Sequence, residues 1–180
     1  ETELLVECAL TLIKSGTNIL DLGTGSGAIA LAIASERPDI KVTGSDISID
    51  ALLVAKKNSM SLDIDVTLKQ SSWFESLTGH WQIIVSNPPY IDPGDPHLKH
   101  LHAEPQQALI ADEQGVADLR KIIAEAPNYL KNKGWLLLEH GFDQAQQVRL
   151  LLEQSGFQAV GSHRDLANIE RVTLGQYIYE

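Results

Sequence analysis

The sequence predicts an α/β protein: an open, mostly parallel sheet of seven strands with an antiparallel last strand and helices on both faces. Three observations carry this. Short apolar runs bounded by turn residues alternate five times with stretches of helical periodicity. Such alternation builds parallel strands joined by helical crossovers. A glycine-rich turn, residues 23–27, links the first strand to a helix. The last two strand-like runs, 157–162 and 171–179, are about eight residues apart, too few for a helical crossover, so they pair antiparallel.

Each element has its own signature. Leu4, Leu5, Ala9, Leu12 and Ile13 recur at helical spacing behind Thr2, a candidate N-cap, and residues 15–17 end that helix. Residues 18–22 form a buried strand, 28–36 a helix stopped before Pro38, and 41–46 a second strand. Ser48 caps a helix over 49–61, and residues 64–70 alternate as a third strand. A loop over 71–80 holds Trp73 and Phe74, and a fourth strand follows over 82–86. Residues 87–114 show little periodicity, and a loop of that length inside a domain usually has a task. A helix over 116–130, with Pro127 in its last turn, is closed by 131–134. A fifth strand runs over 135–139, and a helix over 143–154 ends at Ser155-Gly156.

The whole chain, 1–180, is read as one domain with a real core. No apolar run approaches the ~20 residues of a membrane span, and no basic-apolar leader opens the chain. Cys8 is the sole cysteine, so no internal disulfide can form; a reducing compartment, the cytoplasm, is expected, with Cys8 a small buried apolar residue. The net charge of −10 disfavours a phosphate-backbone partner, so direct nucleic-acid binding is not expected. A monomer that touches no membrane is the expected state.

The turn Asp21-Leu22-Gly23-Thr24-Gly25-Ser26-Gly27 lets a ligand approach the backbone beside a helix N-terminus. It matches a loose dinucleotide pattern, which alone says little. Asp21 is read as standing at the mouth of the site, where a carboxylate repels a pyrophosphate and attracts an ammonium or sulfonium. S-adenosylmethionine carries both cations. Asp46 ends the second strand, 19 residues after Gly27, where a carboxylate can accept both ribose hydroxyls. Its blander role, capping the next helix, can be filled by Ser48. Ile47 is assigned to the same cofactor site as Asp46. Trp73 and Phe74 follow the third strand where an adenine would lie; either ring could cover the base or belong to the core.

Ser86-Asn87-Pro88-Pro89-Tyr90 closes the fourth strand. Pro88 holds Asn87 extended, and the two prolines fix their own φ and donate nothing. Read plainly, the prolines only stop a strand. Read chemically, the Asn87 oxygen and the Pro88 carbonyl accept both hydrogens of a planar NH2 group while Tyr90 packs on its face. His97, His100, His102 and Glu104 cluster in the long loop at spacings that match no metal motif, so no metal is assigned.

These motifs together resemble the class I S-adenosylmethionine-dependent methyltransferases, with their Rossmann-like sheet, and more closely the HemK/PrmC family of release factor glutamine N5-methyltransferases. The resemblance takes in Thr2-Glu3-Leu4-Leu5, residues 19–30, and 85–91. It continues through Glu104-Pro105 with Ala108-Leu109, then 137–141, Arg164-Asp165 and 170–175. It implies S-adenosylmethionine as cofactor, held by Asp21, Gly23, Thr24, Gly25, Ser26, Gly27, Asp46, Ile47, Trp73 and Asn87, with S-adenosylhomocysteine as product. It implies catalysis by Asn87, Pro88 and Tyr90, with Pro89 completing the substrate loop. The implied partner is a bacterial peptide chain release factor, methylated on the glutamine of its Gly-Gly-Gln motif. Family members often carry Asp where this chain has Ser72. The family also has an N-terminal helical domain that this sequence lacks, which fits its abrupt start at Glu1. Three rivals use parts of the pattern: an amino-methyltransferase acting on adenine or guanine of DNA or RNA, a nicotinamide-dependent dehydrogenase, and a non-catalytic domain that keeps the pocket.

Overall fold

Strands buried on both faces read as near-continuous apolar runs, and Ile83 to Val85 does so, as does Ile19 to Leu22 apart from the buried Asp21, because helices or loops cover both sides. The computed structural model describes residues 2–89 and 116–179. Within them the order is α1 (Thr2–Leu12), β1 (Asn18–Leu22), α2 (Ala28–Glu36), β2 (Lys41–Asp46), α3 (Ile49–Leu62), β3 (Thr67–Gln70) and β4 (Trp81–Ser86). It continues with α4 (Ala117–Glu125), β5 (Leu130–Glu139), α5 (Ala145–Gln154), β6 (Phe157–Arg164) and β7 (Glu170–Tyr177).

The sheet runs β3-β2-β1-β4-β5-β7-β6. All neighbours pair parallel except β7, which is antiparallel to both β5 and β6, so the expected mixed sheet of seven strands is present. Alternate residues feed two cores. Ile19, Val42, Ile83, Val85 and Leu137 meet apolar residues of α1 and α2. Leu20, Leu22, Ile84, Leu136 and Leu138 meet Phe74, Leu77, α4 and α5. Among the described residues no helix is long and apolar enough to cross a membrane.

Four boundaries differ from expectation for local reasons. β3 starts at Thr67 rather than 64, because α3 ends on a left-handed Asp63 (φ 54°) with the Ile64 amide bonded back to the Ser59 carbonyl. α4 stops at Glu125, and Pro127 turns the remainder into a 3-10 turn, Ala126–Asn128. β5 begins at Leu130, not 135. The turn expected at 131–134 is a bulge inside the strand, where the pairing moves from Trp81↔Leu130 to Ile83↔Trp135 and Lys133 takes φ 64°. α5 begins at Ala145 because Gln144 folds back to accept the Gly141 amide through its side chain.

Beyond β5 the sheet is tied by a buried polar chain. The His140 ring is fully buried; its Nδ1–H donates to the Gly141 carbonyl at 3.0 Å, an assignment forced because a carbonyl only accepts. Nε2 then accepts from Thr173 Oγ1 (2.7 Å), Thr173 from Ser162 (2.8 Å), and Ser162 from Arg149 (2.6 Å). Burial pushes the His140 pKa below its usual 6.5, against the pull of the Gly141 carbonyl. Below pH 6.5 the unfolded chain therefore binds a proton that the folded chain resists, so this part of the stability is complete above 6.5 and lost as the pH falls. Urea melts between pH 5 and 8 should show stability dropping on the acid side, with a shallower drop in His140→Gln; equal slopes would remove His140 as the cause.

Candidate functional site

Three strand ends meet at the carboxyl edge of the sheet. Leu22 of β1 lies opposite Ser45 of β2 on one side and Ser86 of β4 on the other. The chain leaves β1 toward β2 and leaves β4 toward β5, so the β1/β4 boundary is where an open α/β sheet offers its crevice. Ser86 fastens that boundary, its buried hydroxyl donating to the Leu22 carbonyl at 2.7 Å. Asn87 therefore emerges directly beside Gly23.

The glycine turn is braced from within. The amides of Gly23 and Thr24 both donate to the Ser45 carbonyl at 2.8 Å, Gly25 to Asp46 Oδ2 at 2.9 Å and Gly27 to the Thr24 carbonyl at 2.8 Å. With these four amides engaged inside the protein, the turn is a poor cradle for a pyrophosphate, which needs them pointing outward. Gly27 is left-handed (φ 83°), and a Cβ there would stand 3.1 Å from that of Ala55, so α3 packs close against the turn. Gly44 does the same under Thr24, where a Cβ would approach Oγ1 to 2.8 Å. Ser26 is exposed, and its carbonyl accepts from Asn58 of α3 at 3.0 Å.

Asp21 is not at the mouth of the site, as its position at the end of a strand suggested. It is fully buried beneath the turn. Oδ2 accepts from the Thr24 hydroxyl (2.6 Å) and the Ala30 amide (3.2 Å), while Oδ1 has no partner among the described residues. Burial raises its pKa from 3.8 to about 6; the Thr24 and Ala30 bonds oppose the rise and the Asp46 charge adds to it.

Asp46 ends β2 half-exposed, Oδ1 accepting from the Ser48 amide (2.8 Å) and Oδ2 from Gly25. Ser48, as expected, caps α3, accepting from the Ala51 amide at 3.2 Å. Ile47 is 68% exposed, its carbonyl held by Gln70. The adjacent rings part company. Phe74 is core, fully buried and stacked on Tyr129 at 4.5 Å. Trp73, in a left-handed backbone (φ 45°), lies half-buried against Gly23 and donates from Nε1 to Asp118 of α4 at 3.1 Å. Ser72 bonds to Glu75 and forms a local turn.

At the end of β4, Pro88 is buried and Asn87 and Pro89 are half-buried. Among the described residues the Asn87 amide makes no hydrogen bond. Tyr90 and the cluster His97, His100, His102 and Glu104 lie outside the described residues. Sequence reasoning missed Glu139, buried one register step beyond Leu138 and so level with Asn87. An acidic residue closing an apolar strand was its signal. It also missed Gly44 and Asp118, whose roles arise only from long-range packing.

The residues present fit a cation-bearing nucleoside cofactor. Asp21 Oδ1 is an orphaned buried acceptor, the space above Gly25 is open within 4 Å, and Asp46 keeps lone pairs on both oxygens. The sheet order is that of the class I methyltransferases. The methyltransferase small domain family matches residues 1–160. The release factor glutamine methyltransferase of Aliivibrio fischeri is 49% identical over 186 residues, covering 100% of this chain and 66% of that protein. The enzyme of the same name from Neisseria gonorrhoeae is 47% identical, covering 99% and 67%. Among solved structures, the T. thermophilus 16S rRNA N2 G1207 methyltransferase in complex with AdoMet and guanosine superposes with a TM-score of 0.71 at 22% identity, over 98% of this chain and 42% of that one. The chain belongs to the methyltransferase small-domain family and, within it, to the release factor glutamine methyltransferases. It spans about two thirds of the length of the curated relatives it matches.

The raised Asp21 pKa means that folding favours the protonated acid: stability from this group is present below pH 3.8 and lost as the pH rises through about 6. Asp21→Asn should therefore raise the melting temperature at pH 7.5, by up to about 3 kcal/mol of stability, with the gain shrinking toward pH 4. A variant no more stable than the parent at pH 7.5 would mean the carboxylate is compensated.

Proposed function

We propose that residues 1–180 are the catalytic domain of an enzyme that transfers a methyl group from S-adenosylmethionine to the side-chain amide nitrogen of the glutamine in the Gly-Gly-Gln motif of bacterial release factors, leaving S-adenosylhomocysteine. The observation that carries this is the Asn87-Pro88-Pro89 loop, locked by Ser86 to the strand that feeds the braced glycine turn. The kinship with named release factor glutamine methyltransferases supports a release factor as substrate, and such a substrate would place the enzyme in the bacterial cytoplasm.

S-adenosylmethionine, when bound, supplies a methyl group already activated by its sulfonium. What remains for the chain is to hold a weak nucleophile, since an amide nitrogen shares its lone pair with the carbonyl. Asn87 Oδ1 and the Pro88 carbonyl accept the two N–H groups of the substrate amide and fix its plane in the crevice. Both acceptors also favour the positive charge that grows on the nitrogen. Tyr90 is proposed to pack on the amide face. Asn87 is no base, so the surplus proton leaves to water. Asp46 would accept the ribose hydroxyls. Asp21 would offer its free oxygen to the cationic end, Gly23 to Gly27 would line the floor, and Ile47 and Trp73 would flank the base. The charge of −10 argues against a nucleic-acid substrate.

Mass spectrometry of a release factor incubated with the full polypeptide and cofactor should show one added methyl on the Gly-Gly-Gln glutamine; an unmodified glutamine would overturn the reading. Asn87→Ala should lower kcat by roughly 100-fold or more with cofactor affinity within a few fold. Asp46→Ala should instead weaken cofactor binding in calorimetric titration, and unchanged affinity would remove Asp46 from the site.

A further inference from the structure

Two turns on the carboxyl edge are built more firmly than their length requires, and each presents an apolar side chain to solvent. The first joins β6 to β7 over residues 165–169. Its backbone closes through Asp165 N to the Ile169 carbonyl and Asn168 N to the Asp165 carbonyl, both 2.9 Å. Asp165 Oδ1 accepts from the Ala167 and Ile169 amides, Oδ2 from Arg171, and Arg164 donates to the Asn168 carbonyl. The Ile169 amide, helped by Arg171, holds the Asp165 carboxyl below its usual pKa. At the apex stands Leu166, 108% exposed. The second turn joins β5 to α5. Gly141 and Gln144 bond reciprocally across it, amide to side-chain oxygen at 2.9 Å and amide to carbonyl at 3.1 Å, and Phe142 between them is 68% exposed.

Neither turn needs an apolar apex to fold, and binding residues are disproportionately carried on loops held by a rigid scaffold. Their place on the sheet is informative. Ser86, Leu138, Thr173 and Ser162 form one row across β4, β5, β7 and β6. Asn87 starts the next row, and both turns rise just above it. β6 lies three strand spacings from β4, or ~14 Å, which an extended peptide covers in about four residues. The hairpin end also carries Arg149, Arg164 and Arg171 against Asp165 and Glu170, a local surplus of one positive charge on a chain of net −10. The hairpin end is therefore less acidic than the chain as a whole.

We propose that Phe142 and Leu166 form the docking surface for the stretch of release factor flanking the target glutamine, with Leu166 meeting it about four residues away. This rests on the function proposed above. It assigns the hairpin the task of registering the polypeptide, so that only a glutamine at the right distance from a hydrophobic neighbour reaches Asn87.

Leu166→Asp and Phe142→Ser, singly and together in the full polypeptide, test this. The double variant should raise KM for the release factor at least about tenfold, the scale expected for a single lost apolar contact. Its kcat at saturation, cofactor affinity and melting temperature should match the parent. Unchanged KM would overturn the docking surface alone, as would a rise in KM accompanied by lost cofactor affinity. A parent enzyme that transfers no methyl to the release factor would overturn the function reading and this one with it. Leu166→Cys, in the full polypeptide with any cysteine outside residues 1–180 replaced, labelled with a benzophenone maleimide gives a second readout, Cys8 being buried. Cross-links should fall within a few residues of the glutamine, whereas links confined to a second copy of this chain or to a remote part of the release factor would refute the assignment.

Discussion

The carboxyl edge depends on one buried carboxylate. Asp21 holds the Thr24 hydroxyl and the Ala30 amide on the same oxygen, and so joins the end of β1, the glycine turn and the first turn of α2. Thr24 can reach it only because residue 44 has no side chain, and α3 can support the turn only because residue 27 has none. The carboxylate is held at a cost, visible in a pKa raised to about 6 by burial. Leaving one oxygen of a buried carboxylate without a partner costs stability. A cationic group approaching that oxygen would recover the cost.

The second constraint is the bond from Ser86 to Leu22. β1 delivers the glycine turn and β4 delivers Asn87, and the 2.7 Å contact between their last residues fixes one against the other. Transfer between two bound groups is sensitive to misplacement of about an ångström. A hydrogen bond between adjacent strand ends holds that separation better than two loops packed independently.

How far the sequence foretold this follows from where each piece of information resides. Glycine spacing, the strand-ending Asp46 and the proline pair after Asn87 are local features, and their positions held. The placement of Asp21 was not legible. In a strand covered on both faces, alternation no longer separates inside from outside, so a polar residue at its end can point either way. Trp73 and Phe74 show the same limit. Adjacent rings of similar hydropathy take opposite fates because the left-handed backbone at Trp73 turns one toward Gly23 and leaves the other in the core. The bulge in β5 looks like a loop in the sequence because Lys131-Asn132-Lys133-Gly134 carries turn chemistry, and only the pairing of Leu130 with Trp81 pulls it into the sheet.

The two ends of the edge are secured by the same kind of device. On one side Asp21 gathers donors beneath the glycine turn; on the other a chain of donors runs from Arg149 through Ser162 and Thr173 to His140 and the Gly141 carbonyl. Apolar packing fills the body of the domain between them, but it is non-directional and tolerates small slides. Hydrogen bonds fix angle as well as distance, and buried ones cannot be exchanged for water without penalty. The fold thus uses burial for its bulk stability and reserves buried polar groups for the rim, where the positions of Gly23, Asn87 and the Phe142 turn must hold to a fraction of an ångström if a cofactor and a polypeptide are to meet there.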